Sequence, residues 1–205
     1  MAGTLYLMRH GETTFNLQQR SQGWCDSPLT ERGREQAMRA AARIRELGIA
    51  FDRLCCSTQE RAVDTLELVS LGLYGEVRPY DRLKGLKESF YGIFEACPIG
   101  MLEATFERDR DGFVPYGGEP YADMQDRMQA ALAGEMERAG GGSVLAVSHM
   151  RSSLAFLERV HGSDPVGNLL TNCALMRFDY EGDGRFRYRE TIQTGGTDVH
   201  GNVPA

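Results

Sequence analysis

Leu5-Tyr6-Leu7-Met8 runs without a break into Arg9-His10-Gly11-Glu12-Thr13. The four apolar residues have the length and composition of a buried strand, and Gly11 is where the chain is expected to turn. Arg9 and His10 then stand at the carboxyl end of that strand. Open α/β sheets bind their ligands in the crevice outside those ends, so position and residue type together suggest a nucleophile beside an anion clamp. Three residues alone carry little weight, because a histidine at a strand end also serves as a capped structural residue.

Outward from this stretch the chain alternates between strand and helix patterns. Thr30 is placed to cap a helix in which Ala37, Ala40, Ala41, Ile44 and Leu47 recur at helical spacing until Gly48. A short strand over 53–56 and a helix over 58–70 follow, with Ser57 and Arg61 at their junction. A third strand is expected over 77–80. Residues 84–118 read as an irregular, lid-like segment with one short helix around 98–108, and Pro120 opens a long helix to 139. Gly140-Gly141-Gly142 leads into a strand over 143–147, so Ser148-His149 again falls at a strand's carboxyl end, before another helix. Strands over 174–180 and 186–192 are joined through Glu181-Gly182-Asp183-Gly184. The alternation predicts one α/β domain, residues 1–193, with helices on both faces of a central sheet. Residues 194–205, rich in Gly, Thr, Asn and Pro, read as a mobile tail.

A chain of 205 residues can bury one sizeable core, and 41% hydrophobic with 25% charged residues argues against disorder. No apolar run approaches the ~20 residues of a membrane-spanning helix. The N-terminal pattern is not that of a secretory signal, and a cytoplasmic location is expected. Cys25, Cys55, Cys56, Cys97 and Cys173 form an odd set without a CxxC pair, which suits reduced thiols. A net charge of −6 disfavours nucleic acid as a partner. A small anion needs only a few arginines converging in one cleft.

His10 is followed at fixed spacing by Thr14-Phe15-Asn16, Arg20-Ser21-Gln22-Gly23 and Asp26-Ser27-Pro28-Leu29-Thr30. Farther on stand Ser57, Arg61-Ala62, Leu86 to Glu95, Gly117-Gly118-Glu119, Asp123, Arg127 and Val147-Ser148-His149. Together these resemble the histidine phosphatase superfamily, the phosphoglycerate mutase-like proteins, from residue 4 to about 155. The match is specific for the superfamily and weakly specific for substrate. It implies a mostly parallel sheet flanked by helices, a phosphohistidine at His10, phosphate binding by Arg9, Arg61 and His149, and an acid/base carboxyl at Glu88. Phe15 stands where a Trp is usual, and Ala96 replaces the glycine that commonly follows Glu95. Met150 replaces a small residue, and its thioether narrows the leaving-group side.

The residues can support that chemistry. Phosphoryl transfer asks a protein for charge stabilisation around three equatorial oxygens and a nucleophile in line with the leaving oxygen. A neutral His10 attacks through one ring nitrogen if the other holds its proton against a fixed acceptor, such as a carbonyl near Gly11. Asn16, Gln22 and Gly23 offer further donors to the phosphate. Taken singly, Arg61 reads as a surface charge, Glu88 as a solvated loop carboxylate and His149 as a helix cap. His161 and His200 match nothing. No metal-ligand spacing and no cofactor motif is present.

The expected activity is that of a histidine acid phosphatase-type phosphomonoesterase acting on a phosphorylated small molecule, with no nucleic-acid or membrane partner and a possible homodimer. The alternatives are a cofactor-dependent phosphoglycerate mutase and a catalytically silent phospho-ligand binding module. The mutases resemble a longer version of this chain, with a basic insertion between the positions of Glu88 and His149. Here 60 residues, 89 to 148, separate the two, and they include Glu95, Glu103, Glu107, Asp109 and Asp111.

Overall fold

Successive residues of β1 (Gly3–Arg9) point to opposite faces of a sheet, and both faces are covered. Leu5 and Leu7 enter one core and Tyr6 and Met8 the other, which is why the strand reads as an unbroken apolar run rather than an alternating one. The computed structural model describes residues 2–101, 111, 113–163, 165–166 and 170–194.

Six strands form one sheet: β1, β2 (Arg53–Ser57), β3 (Asp81–Leu83), β4 (Ser143–Ser148), β5 (Leu175–Gly182) and β6 (Arg185–Ile192). Their order is β3-β2-β4-β1-β5-β6. β1, β4, β2 and β3 pair in parallel, while β5 runs antiparallel to both β1 and β6. Beyond β1 a single turn of helix, α1 (Thr14–Leu17), precedes α2 (Glu31–Glu46). α2 and α3 (Glu60–Tyr74) cover the face carrying Tyr6, Met8, Leu145 and Val147, through Ala37, Ala40, Ala41, Ile44, Ala62, Leu66 and Val69. α4 (Tyr121–Ala139) and α5 (Met150–His161) cover the other face through Met128, Leu132, Met136, Phe156 and Leu157. The sheet is therefore mixed but mostly parallel, with helices on both faces, in agreement with the sequence.

Local signals act as expected at several boundaries. The Thr30 hydroxyl accepts the Gly33 N–H at 3.0 Å, capping α2, and Asp183 and Gly184, both at positive φ, make the two-residue turn between β5 and β6.

The third strand is displaced. It was expected over 77–80 and instead occupies Asp81–Leu83, paired with Cys55–Ser57. Residues 76–80 are tied back to α3: the Ser70 hydroxyl donates to the Glu76 carbonyl and accepts the Arg78 N–H, the Arg78 guanidinium lies 3.5 Å from the Tyr74 ring, and the Tyr80 hydroxyl donates to Glu67 at 2.5 Å. These contacts hold 76–80 away from β2 until Asp81.

Between Leu83 and α4 the described residues form three 3₁₀ turns, Lys84–Leu86, Gly92–Phe94 and Val114–Tyr116, and a small core of Tyr91 and Phe113 with Phe94 and Ile99. The helix expected around 98–108 falls mostly outside the described residues, as do residues 195–205. Thr194 is buried, and its hydroxyl donates to the Cys173 carbonyl at 3.0 Å.

Candidate active site

Parallel pairing of β1 with β4 sets Arg9 opposite Ser148, so the next residue on each strand, His10 and His149, emerges at the same level. The His10 N–H donates to the Ser148 carbonyl at 3.0 Å, and the two imidazole centroids lie 5.3 Å apart. Two histidines separated by 138 residues of chain, 11 to 148, become neighbours by strand register alone.

Each imidazole is held in one tautomer. His10 Nδ1 lies 2.7 Å from the Gly11 carbonyl, an acceptor, which places the ring proton on Nδ1 and the lone pair on Nε2. His149 Nδ1 accepts from Arg61 Nε at 3.1 Å, so its proton sits on Nε2, a buried atom without a hydrogen-bond partner. Burial drives both histidines well below the ordinary imidazole pKa. The Arg61 charge pushes the same way, with Arg9 adding to it at His10 and His10, Arg127 and Arg9 adding to it at His149. His10 therefore carries a lone pair on Nε2 and His149 an N–H on Nε2, on rings 5.3 Å apart whose neutral forms burial favours.

The surrounding donors come from separate elements. Arg9, 2% exposed, is anchored by one N–H to the Leu170 carbonyl at 2.9 Å. Arg61 lies in the first turn of α3 and is wholly buried. Its five N–H groups meet five protein acceptors: His149 Nδ1, the carbonyls of Gln22, Gly23 and Cys25, and the Asp26 carboxylate at 2.8 Å. As it stands, Arg61 supplies charge to the pocket. To hydrogen-bond a phosphate it must exchange a loop carbonyl for a phosphate oxygen.

The loop that holds Arg61 turns its carbonyls toward that guanidinium, whereas the N–H groups of Gln22 and Gly23 have no acceptor among the described residues. The Gln22 side chain is committed to Thr13, Asp26 and Ser27. Asn16 Oδ1 caps α1 through Thr13, and its Nδ2 has no partner among the described residues. Glu88 is 5% exposed, and its carboxylate accepts the N–H groups of Ser89 (2.9 Å), Ser152 (2.8 Å) and Arg151 (3.0 Å), at the N-terminal turn of the helix that His149 caps. Met150 opens that helix and is partly buried.

The structure brings together His10, His149, Arg61 and Arg9, and Glu88 bonds the turn that follows His149; Gln22 and Gly23 reach this group through their carbonyls on Arg61, whereas Asn16 is tied to Thr13. Among the described residues no group of three or more His, Cys, Asp or Glu side chains could hold a metal.

Several supporting residues are given no role by the sequence, although Asp26 and Glu95 stand within the motifs quoted from it. Asn172 Nδ2 donates to the His10 carbonyl at 3.0 Å, and the Thr65 hydroxyl accepts the Gly11 N–H and donates to the Arg61 carbonyl. Asp26 pairs with Arg61 and accepts the Glu60 N–H, capping α3. Gln59 and Glu95, both buried against the Gly23 loop or bonded to it, tie that loop to the lid side. Gly11 itself has no positive φ. Its need for glycine is close approach, because a Cβ there would lie 2.6 Å from the Gly33 carbonyl.

Two buried imidazoles with the Arg61 guanidinium bonded to one of them stand at the carboxyl ends of neighbouring parallel strands. The chain belongs to the histidine phosphatase superfamily, branch 1, whose sequence profile it matches over residues 5–191. It is 32% identical to a probable phosphoglycerate mutase, GpmB, of Salmonella paratyphi B, over 98% of this chain and 96% of that one. Among solved structures it is similar to phosphoglycerate mutase of Bacillus anthracis (26% identity, TM-score 0.82, 92% of each chain). It is also similar to a candidate α-ribazole-5′-P phosphatase of Escherichia coli (26% identity, TM-score 0.75, 95% of this chain and 98% of that one).

Proposed function

We propose that this protein is a metal-independent phosphomonoesterase that hydrolyses a small phosphorylated metabolite through a phosphohistidine at His10. The observation that carries the reading is the complementary pair of neutral rings, a free lone pair on His10 Nε2 beside an unpartnered N–H on His149 Nε2. His10 Nε2 attacks phosphorus while the bond to the ester oxygen breaks, and Glu88 delivers a proton to the departing alkoxide. Glu88 then takes a proton from water, which attacks the phosphohistidine and returns His10 with release of inorganic phosphate. His149, Arg9, Arg61 and the free N–H groups of Gln22 and Gly23 stabilise the charge on the equatorial oxygens.

The acidic segment between Glu88 and His149 supports hydrolysis over the action of the longer mutases that carry a basic insertion there. The GpmB relative keeps the mutase reading as the alternative.

The deciding experiment is rapid acid quench of the enzyme with a labelled ester, together with a screen of phosphomonoesters with and without 2,3-bisphosphoglycerate. A labelled, acid-labile phosphohistidine that vanishes in His10→Ala, with phosphate release independent of bisphosphoglycerate and of EDTA, is the expected result. Turnover that depends on bisphosphoglycerate would establish the mutase, and phosphate release without any phosphohistidine would overturn the mechanism.

A further inference from the structure

Gln59 occupies the N-cap position of α3, where a polar side chain ordinarily folds back to bond the first N–H groups of the helix. It makes no such bond. Asp26 caps the helix instead, accepting the Glu60 N–H at 2.6 Å. The Gln59 side chain, 4% exposed, turns away from its own helix into the space between the phosphate loop and the segment that carries Glu88.

There its two ends do different work. Nε2 donates to the Gly23 carbonyl at 2.5 Å and lies 3.5 Å from the Cys25 carbonyl, and Oε1 accepts the Glu88 N–H at 2.9 Å. The carbonyls of Gly23 and Cys25 are also two of the acceptors that hold Arg61. A buried carbonyl that loses its only donor is destabilised, so Arg61 could not turn an N–H toward phosphate cheaply if it alone held them. Gln59 is the second donor on those same oxygens.

We propose that Gln59 is a positioning residue with two separable functions. Its Nε2 keeps the Gly23–Cys25 carbonyls satisfied while Arg61 exchanges one of them for a phosphate oxygen, and its Oε1 fixes the backbone of Glu88 so that the acid stands at a set distance from the same phosphate. One neutral amide thereby sets the spacing between anion cradle and proton donor. The inference rests on phosphoryl transfer at His10.

Two variants separate the functions. Gln59→Leu keeps the approximate volume and removes both bonds, whereas Gln59→Glu keeps an acceptor for the Glu88 N–H and loses the donor to Gly23. Vanadate binding can be followed by fluorescence of Trp24, the single tryptophan, which lies in the phosphate loop and donates its indole N–H to the Glu88 carbonyl at 3.0 Å.

Misplacement of a reacting group by about 1 Å is worth on the order of 100-fold in rate. Gln59→Leu is therefore expected to weaken vanadate binding and to slow alkyl esters by up to about 100-fold more than aryl esters. Gln59→Glu is expected to weaken vanadate binding while leaving the alkyl-to-aryl ratio near that of the wild type. If Gln59→Leu does not fold, Gln59→Met, which likewise removes both bonds, takes its place in the ester comparison, and Gln59→Glu still reads the cradle function.

Wild-type vanadate affinity in Gln59→Glu would overturn the cradle function. An unchanged ester ratio in Gln59→Leu, or an equally altered one in Gln59→Glu, would overturn the positioning of Glu88. Failure of the hydrolase reading shows differently, as a wild-type enzyme without phosphohistidine, and the vanadate measurement then still decides whether Gln59 holds the loop.

Discussion

The two oxygens of Glu88 are not equivalent. Oε1 accepts two backbone N–H groups, from Ser89 and Ser152, whereas Oε2 accepts one, from Arg151. Oε2 thus keeps a lone pair for the proton of the leaving group. Glu88→Gln retains an Oε1-like acceptor and cannot exchange that proton. Its phosphorylation burst is expected to slow for alkyl esters by ~10²–10⁴-fold and far less for aryl esters, whose oxygens depart unprotonated. An equal loss for both classes would remove Glu88 as the acid. Glu95 carries the same two-and-one set of N–H groups, from Trp24, Tyr91 and Cys25, but two of its partners lie in the Gly23 loop, whereas Glu88 bonds the turn that follows His149; Glu12 accepts the Thr30 hydroxyl. The sequence singled out Glu88 through its resemblance alone, since a loop glutamate has no signature of its own. It also marked Ala96 as a departure from glycine, and the backbone there has φ +60°, a left-handed conformation that glycine adopts more easily than alanine.

At the scale of elements, the catalytic turn after β1 rests on the first turn of α2. A Cβ at Gly33 would lie 2.0 Å from the Glu12 carbonyl, a backbone atom that cannot swing aside. In most helices Gly→Ala gains about 1 kcal/mol, so helix propensity and packing predict opposite signs here. Packing should win: Gly33→Ala is expected to lower stability by about 1–3 kcal/mol, as overpacking does, and to slow phosphorylation by shifting Gly11 and His10. Chemical denaturation and burst kinetics test both effects, and a stabilised, fully active variant would show that the turn yields freely. Periodicity located α2 because its buried face is continuous, whereas it misplaced β3 by four residues, from 77–80 to Asp81–Leu83. A three-residue edge strand has too little pattern to compete with the contacts that bind residues 76–80 to α3.

For the whole molecule, two buried neutral histidines link stability to pH. Their folded pKa values lie well below the ordinary value of 6.5, so the unfolded chain takes up protons that the folded one refuses. Above pH 6.5 the two residues are neutral in both states and contribute no pH dependence. As pH falls below 6.5 toward the folded pKa values, stability is lost by up to about 1.4 kcal/mol per pH unit for each histidine. Thermal melts between pH 8 and pH 5 should show this decline, and His10→Ala should melt with a shallower acid dependence over the same window. A slope identical to that of the wild type would mean that His10 takes up its proton at the same pH in the folded and the unfolded chain. The same depression favours a neutral His10 in mildly acidic solution, where an ordinary imidazole is mostly charged.

The sequence by itself determined the class of fold and the chemical parts of the site. Apolar runs of strand length, helical repeats of alanine and leucine, and Arg9, His10, Arg61 and His149 at element ends are local properties, set by periodicity and by the residues that terminate each element. Only the tertiary structure decided how those parts act on one another. Strand register brings His10 beside His149, and burial together with the guanidinium charges makes both rings neutral. All five Arg61 N–H groups go to protein acceptors, and the Gln59 amide spans the gap between Gly23 and Glu88. Those are relations between residues far apart in the chain, and they arise from close packing and from the need of every buried polar group for a partner, neither of which leaves a periodic mark in the sequence.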